Sequence, residues 1–153
     1  MPMITTPEGA YFEYRFTTTF EETNLVGNIY FANYVVWQGK CREMFINEYC
    51  PDVADAINDG LGLITLDLSA QYVSQLFAFD KVVMRMSLEA QSASRLMMNF
   101  EYYKDEGSHL TLVCKGHQAT AAMREENGTM VPVHFPDSML EAIEEYKALA
   151  ATV

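Results

Sequence analysis

Residues 29–49 read Ile29-Tyr30-Phe31-Ala32-Asn33-Tyr34-Val35-Val36-Trp37-Gln38-Gly39-Lys40-Cys41-Arg42-Glu43-Met44-Phe45-Ile46-Asn47-Glu48-Tyr49. Tyr34, Trp37, Cys41, Met44, Phe45 and Glu48 recur at steps of three and four, the spacing of one face of an α-helix. Nearly every residue off that stripe is also bulky or apolar. The run therefore predicts a helix that is largely enclosed, not one lying on a surface. Cys50-Pro51-Asp52 ends it, because proline disfavours helical geometry in the residue before it.

On both sides of this helix the period falls to two. Upstream, from Tyr11 to Phe20, the residues Phe12, Tyr14, Phe16, Thr18 and Phe20 share one face, with Glu13 and Arg15 opposite, a half-buried strand. Downstream, Ile64, Leu66, Leu68, Ala70 and Tyr72 alternate with Thr65, Asp67, Ser69 and Gln71. Val82 to Ala90 and Leu96 to Tyr102 repeat the pattern, and Leu110, Leu112 and Cys114 begin a fourth set. Short polar turns at Gln91-Ser92-Ala93-Ser94 and Asp105-Glu106-Gly107-Ser108 suit antiparallel hairpins. Ser138 and Glu141 stand at capping-box spacing before a short terminal helix. The order is strand, buried helix, four strands in a meander and a small helix, in one domain over residues 1–153. A five-stranded antiparallel sheet wrapped around a long central helix accounts for it, an α+β architecture known as the hot-dog fold. Its edge strand would stay open, which predicts a homodimer joined edge to edge, or a tetramer.

Of the 153 residues 50% are hydrophobic and only 20% charged, with a formal net charge of −11. The acidity argues against nucleic acid or an anionic membrane surface as partner. No apolar run approaches the length of a membrane span. Met1 to Ala10 lacks the basic and apolar regions of a secretory signal, so a cytoplasmic protein is expected. Cys41, Cys50 and Cys114 sit in apolar periodic segments and read as buried reduced thiols. His109, His117 and His134 show no metal-ligand spacing, so neither metal nor other cofactor is predicted.

The segment Thr23-Asn24-Leu25-Val26-Gly27-Asn28-Ile29-Tyr30-Phe31-Ala32-Asn33-Tyr34-Val35-Val36-Trp37 resembles the signature of the 4-hydroxybenzoyl-CoA thioesterase family. That signature is an acidic residue, two variable positions, a glycine, then a Tyr-Phe-x-Asn-Tyr/Phe-x-x-Trp run opening the helix. The family's catalytic carboxylate falls on Asn24, and an amide can be neither general base nor carboxylate nucleophile. Phe20 to Asn28, continued by Trp37 to Phe45, resembles a narrower branch that carries asparagine there: the thioesterases of the iterative polyketide synthases of enediyne antibiotic biosynthesis. The branch implies release of a polyene from the synthase's acyl carrier domain. A β-ketoacyl thioester is hydrolysed and the acid then loses carbon dioxide to give a methyl ketone. Its functional positions fall on Asn24, Tyr34, Arg42 and Thr65.

On this resemblance, the free N–H groups of Tyr30, Phe31 and Ala32 at the helix start suit an oxyanion, and Gly27 lets the backbone turn tightly toward the substrate. Asn24 would orient water or the carbonyl, unless it is only a turn former. Arg42 would bind the β-keto oxygen; the plainer reading is an ion pair with Glu43, Glu48 or a partner subunit. Tyr34 would hydrogen-bond substrate or position Arg42, or simply pack the core. Thr65, placed on the polar side of its strand, would donate to a substrate oxygen. Ten methionines with nine Phe and nine Tyr are ample to line an acyl channel. Docking of an acidic carrier domain would need a basic patch, for which Lys40, Lys81 and Arg85 are the candidates. A Cys41 thiolate nucleophile is disfavoured, since Cys41 and Arg42 point about 100° apart on a helix and no histidine adjoins them. Two other readings remain: a non-catalytic polyene- or carrier-binding protein, and a general acyl-CoA thioesterase, which the lack of a basic cluster for the CoA phosphates disfavours.

Overall fold

The computed structural model describes residues 3–153. A hairpin of β1 (Met3–Thr6) and β2 (Gly9–Thr17) is followed by a 3-10 turn and then α1 (Phe31–Tyr49) and α2 (Val53–Asn58). Strands β3 (Gly62–Tyr72), β4 (Lys81–Ala90), β5 (Arg95–Asp105), β6 (Leu110–Glu126) and β7 (Thr129–Pro132) come next, and α3 (Asp137–Ala150) closes the chain. All strand pairings are antiparallel, in the order β1-β2-β4-β5-β6-β3, with β7 on β6. The sheet curls over α1, which touches β2, β3, β4 and β6. The expected five strands and central helix are present. The hairpin partner β1, the short β7 and the small helix α2 extend them.

The four later strands are not a simple meander. β3 pairs with β6, not with β4, so the chain crosses from one end of the sheet to the middle between Tyr72 and Lys81. Period-two patterning marks the two faces of a strand but says nothing about its neighbour. The outcome leaves β3 at the sheet's end, with one edge unpaired.

Along α1 the buried residues are Tyr34, Trp37, Gln38, Cys41 and Phe45. They meet Phe12, Met84, Met86, Met98, Phe100 and Tyr102 in the core. The helix is only half enclosed within one chain: Phe31, Val36 and Met44 are exposed. The first strand stops at Thr17; Thr18 bonds the Phe77 carbonyl through its hydroxyl (2.6 Å), and exposed Phe20 opens the 3-10 turn. Ser138 caps nothing. Pro136 precedes α3, and Ser138 instead donates its N–H (3.1 Å) and its hydroxyl to Asp52. The reciprocal cap sits at Thr19 and Glu22, where the Glu22 carboxylate accepts from the Thr19 N–H at 2.8 Å.

Candidate active site

Arg42 emerges from α1 toward β3 and β6, and its Nη1 has three oxygens around it: Thr120 Oγ1 at 3.1 Å, Thr65 Oγ1 at 3.2 Å and Gln118 Oε1 at 3.3 Å. No carboxylate lies within ion-pairing distance of it among the described residues. The plainer alternative, an ion pair with Glu43 or Glu48, is not formed within the chain, and neutral acceptors stand in its place. Burial pulls the guanidinium's pKa down, and the nearby Glu43 charge opposes that. Nε is buried without a hydrogen-bond partner. Nη2 has none among the described residues either. A buried unsatisfied donor costs about 1–3 kcal/mol, so this free edge is the anomaly of the site.

Thr65 reaches Arg42 because of a bulge. The β3–β6 register runs Thr65↔Thr120 and then Asp67↔Ala119, leaving Leu66 without an opposite residue. Such an extra residue re-aims the side chains beside it. Before the bulge Leu63 and Thr65 face the helix; after it Ala70 and Tyr72 do. The regular alternation read from the sequence fails here, and Thr65 lies on the helix side of its strand, not the outer polar side.

The same arginine lines a cavity of about 550 Å³ between α1, α2 and the start of β3. Its walls include Ile46, Cys50, Val53, Ala54, Ile57 and Leu63. Its size falls within the range of about 300–1,000 Å³ common for small-molecule sites. The lining is mostly apolar, with Arg42, Glu43 and Asn47 as its polar members, and suits an acyl chain carrying a polar end.

The loop before α1 forms a second cluster. The Asn24 carbonyl accepts from the Gly27 N–H (3.0 Å), and Gly27 has φ +94°, a conformation that favours glycine. Asn24 Oδ1 accepts from the Val26 N–H at 3.0 Å, which orients the amide and leaves its Nδ2 donors free. Of the three expected backbone donors, Tyr30 N–H is already spent on the Glu22 carbonyl (2.9 Å). Those of Phe31 and Ala32 have no partner among the described residues. Glu22 holds this loop to the helix: its carboxylate accepts from Trp37 Nε1 (2.7 Å), and its carbonyl also accepts from Asn33 Nδ2 (2.8 Å). Asn28 Oδ1 is buried here without a partner.

Within one chain the two clusters stay apart. Arg42 is about three turns beyond Phe31, about 16 Å along the helix axis. Tyr34 joins neither cluster through its hydroxyl. It is buried against Trp37, Tyr72 and Tyr102, and burial pushes its pKa up to about 12. Its backbone carbonyl accepts a hydrogen bond from the Tyr102 hydroxyl (2.7 Å). Cys41, Cys50 and Cys114 are free and buried. Burial raises all three thiols, those of Cys50 and Cys114 to about 12, which excludes a thiolate nucleophile at neutral pH. The three candidate basic residues do not gather. Lys81 and Arg85 share the sheet face turned away from α1, where Arg85 pairs with Glu13 at 3.2 Å, while Lys40 is on the helix.

The profile of the thioesterase-like superfamily matches residues 18–143. The chain belongs to that superfamily. The dynemicin thioesterase, whose crystal structures revealed induced-fit and allosteric effects upon polyene binding, is 40% identical to it. Their TM-score is 0.83, over 89% of this chain and 96% of that one. A 1,4-dihydroxy-2-naphthoyl-CoA thioesterase from Synechocystis superposes with TM-score 0.79 at 15% identity, covering 90% of this chain and 98% of its own. A 4-hydroxybenzoyl-CoA thioesterase gives 0.74 at 12%, covering 87% and 98%. These last two are likenesses of fold. No curated protein sequence matches the chain.

In this member of the thioesterase-like superfamily, sequence reasoning missed Gln118 and Thr120, which bond Arg42, and Gln38, which bonds Gln118. Gln38 carried a signal, being an amide on the apolar stripe beside Trp37. Gln118 and Thr120 carried none until β6 was known to run on to Glu126.

Proposed function

We propose that the chain is a thioester hydrolase that releases a β-keto polyene acyl chain from the acyl carrier domain of an iterative enediyne polyketide synthase. The observation that carries this reading is Arg42: a cation anchored through one nitrogen, with its remaining donors unpaired, in the wall of an apolar cavity. The identity with the dynemicin thioesterase, a polyene-binding protein, supports the polyene and the enediyne setting.

Water adds to the thioester carbonyl, charge grows on the carbonyl oxygen, and the carbon–sulfur bond breaks to give an acid and the carrier thiol, which takes a proton. Phe31 N–H, Ala32 N–H and Asn24 Nδ2 are the donors for the oxyanion; one such donor is worth about 3–4 kcal/mol in comparable sites. No side chain is asked to act as nucleophile. Arg42 holds the β-keto oxygen and then the enolate that forms as carbon dioxide leaves; protonation of that enolate gives the methyl ketone.

For both clusters to act on one substrate a second copy is needed. Tyr72 bonds the Phe31 carbonyl (2.8 Å) while Thr65 meets Arg42, so α1 and β3 run antiparallel. Two copies joined along the open edge of β3 around a two-fold axis would set the Phe31 end of one helix beside the Arg42 end of the other. Ile64, Leu66, Leu68 and Tyr72 are exposed on that strand.

The test is turnover. Purified protein is incubated with a β-ketoacyl carrier-protein thioester while free thiol and product mass are followed. Thiol release with a methyl ketone product supports the reading. Tight binding without release would leave a polyene-binding protein instead.

A further inference from the structure

Among the described residues the fully buried polar side chains are Thr18, Gln38, Gln118 and Thr120, and three of these four belong to the surroundings of Arg42. We propose that Gln38, seated over Gly116, and Gln118 are positioning residues that fix which edge of the Arg42 guanidinium is presented to substrate. The inference rests on the reading of Arg42 given above.

The hydrogen bonds form a chain with one allowed direction. Gln38 Nε2 donates to the Ser69 carbonyl at 2.9 Å, Gln118 Nε2 donates to Gln38 Oε1 at 3.2 Å, and Arg42 Nη1 donates to Gln118 Oε1 at 3.3 Å. A backbone carbonyl only accepts and a guanidinium only donates. Two amides set between them satisfy every link in a single orientation. Turning Gln118 over would set its N–H groups against the guanidinium and its oxygen against that of Gln38. The Ser69 carbonyl therefore dictates, through two side chains, that an oxygen faces Nη1. With Nη1 so held and Nε buried, Nη2 is the donor left for a ligand.

Gly116 makes the room. A Cβ built there would lie 2.2 Å from Gln38 Nε2 and 3.1 Å from its Cδ, although the backbone at this residue is not in the left-handed region. The glycine answers a need for space, not conformation, and in a strand interior it weakens the sheet. An apolar side chain at position 38 over a larger residue at 116 would pack the same volume without burying amides.

The test uses Gln118→Leu, Gln38→Met and Gly116→Ala, each alone and combined with Arg42→Ala, in the full-length protein, with Tm measured for every variant. Each single change is expected to lower kcat about tenfold with KM within about twofold, and to cost nothing further once Arg42 is gone, the signature of residues acting as one unit. The ¹⁵N guanidinium resonances of Arg42 give a readout independent of turnover: distinct Nη signals in the wild type should average as rotation is freed. Gly116→Ala and Gln38→Met enter no hydrogen bond of Arg42 themselves, so the test survives if Gln118→Leu does not fold. Losses that multiply with that of Arg42→Ala, or unchanged Arg42 resonances in folded variants, would overturn the inference alone. Wild-type turnover by Arg42→Ala would overturn the functional reading and this inference with it.

Discussion

Arg42 Nη1 stands 3.2 Å from Thr65 Oγ1, and the two meet only because the bulge at Leu66 shifts the parity of β3. Thr65→Val keeps the side-chain shape and removes one of the three acceptors around Nη1. Because Thr120 and Gln118 remain, the fold should hold within about 1 kcal/mol. Turnover is expected to fall about threefold to tenfold as the guanidinium gains freedom. Steady-state kinetics beside urea unfolding check both figures.

Arg42→Met should separate stability from activity in the other direction. It removes a desolvated cation with an orphaned Nε and fills the space with a flexible apolar chain. Replacing buried charge by hydrophobic volume is often neutral or stabilising, so the urea midpoint is expected to match or exceed the wild type while turnover drops at least about a hundredfold. A variant that is both inactive and strongly destabilised would show that Arg42 holds the fold.

The cavity makes its own prediction. Ala54 lies in its wall with Val53 and Ile57. Ala54→Trp should exclude long acyl chains and leave short β-ketoacyl thioesters unaffected, read as a change in the ratio of kcat/KM for the two lengths. Equal losses for both would place the chain elsewhere.

Much of this was legible from the residues. The period of Tyr34, Trp37, Cys41 and Phe45 located the buried face of α1, and alternation located β2 to β5. The pairing of β3 with β6 was not legible, since alternation carries no information on neighbours. Nor was the bulge: Thr65-Leu66-Asp67 alternates polar and apolar as a regular strand does. Arg42 stood out as a charge inside an apolar helix, but two of its three partners lie on a strand about eighty residues away in sequence and only the fold brings them to it. Ser138 had the spacing of a cap, yet Asp52, from the start of α2, takes its donors first.

Alkaline pH should weaken the fold. Burial raises Cys50 and Cys114 from 9.0 to about 12 and Tyr34 from 10.0 to about 12. The native state keeps these protons where the unfolded chain has released them, so stability falls as pH rises. The contribution is intact below about pH 9 and is lost progressively toward pH 12. Chemical denaturation at pH 8, 9 and 10 should give a declining midpoint, and a midpoint that rises over this range would contradict the assignment.

Dimerisation along β3 predicts complementation. Asn24→Ala and Arg42→Ala disable opposite ends of a shared site, so mixing the two inactive proteins under exchange should restore about a quarter of wild-type activity, one intact site in half of the dimers. Leu68→Lys, placing charge on the open strand, should give an inactive monomer by light scattering. No recovery in a mixture proven to exchange would place both residues in one chain's site.

The central claim is that Arg42 recognises the β-keto oxygen. The measurement is kcat/KM for a β-ketoacyl and the matching simple acyl carrier thioester, in wild type and Arg42→Ala. A strong wild-type preference for the β-keto substrate that vanishes in the variant is the result expected. A preference that survives loss of Arg42 would contradict the account.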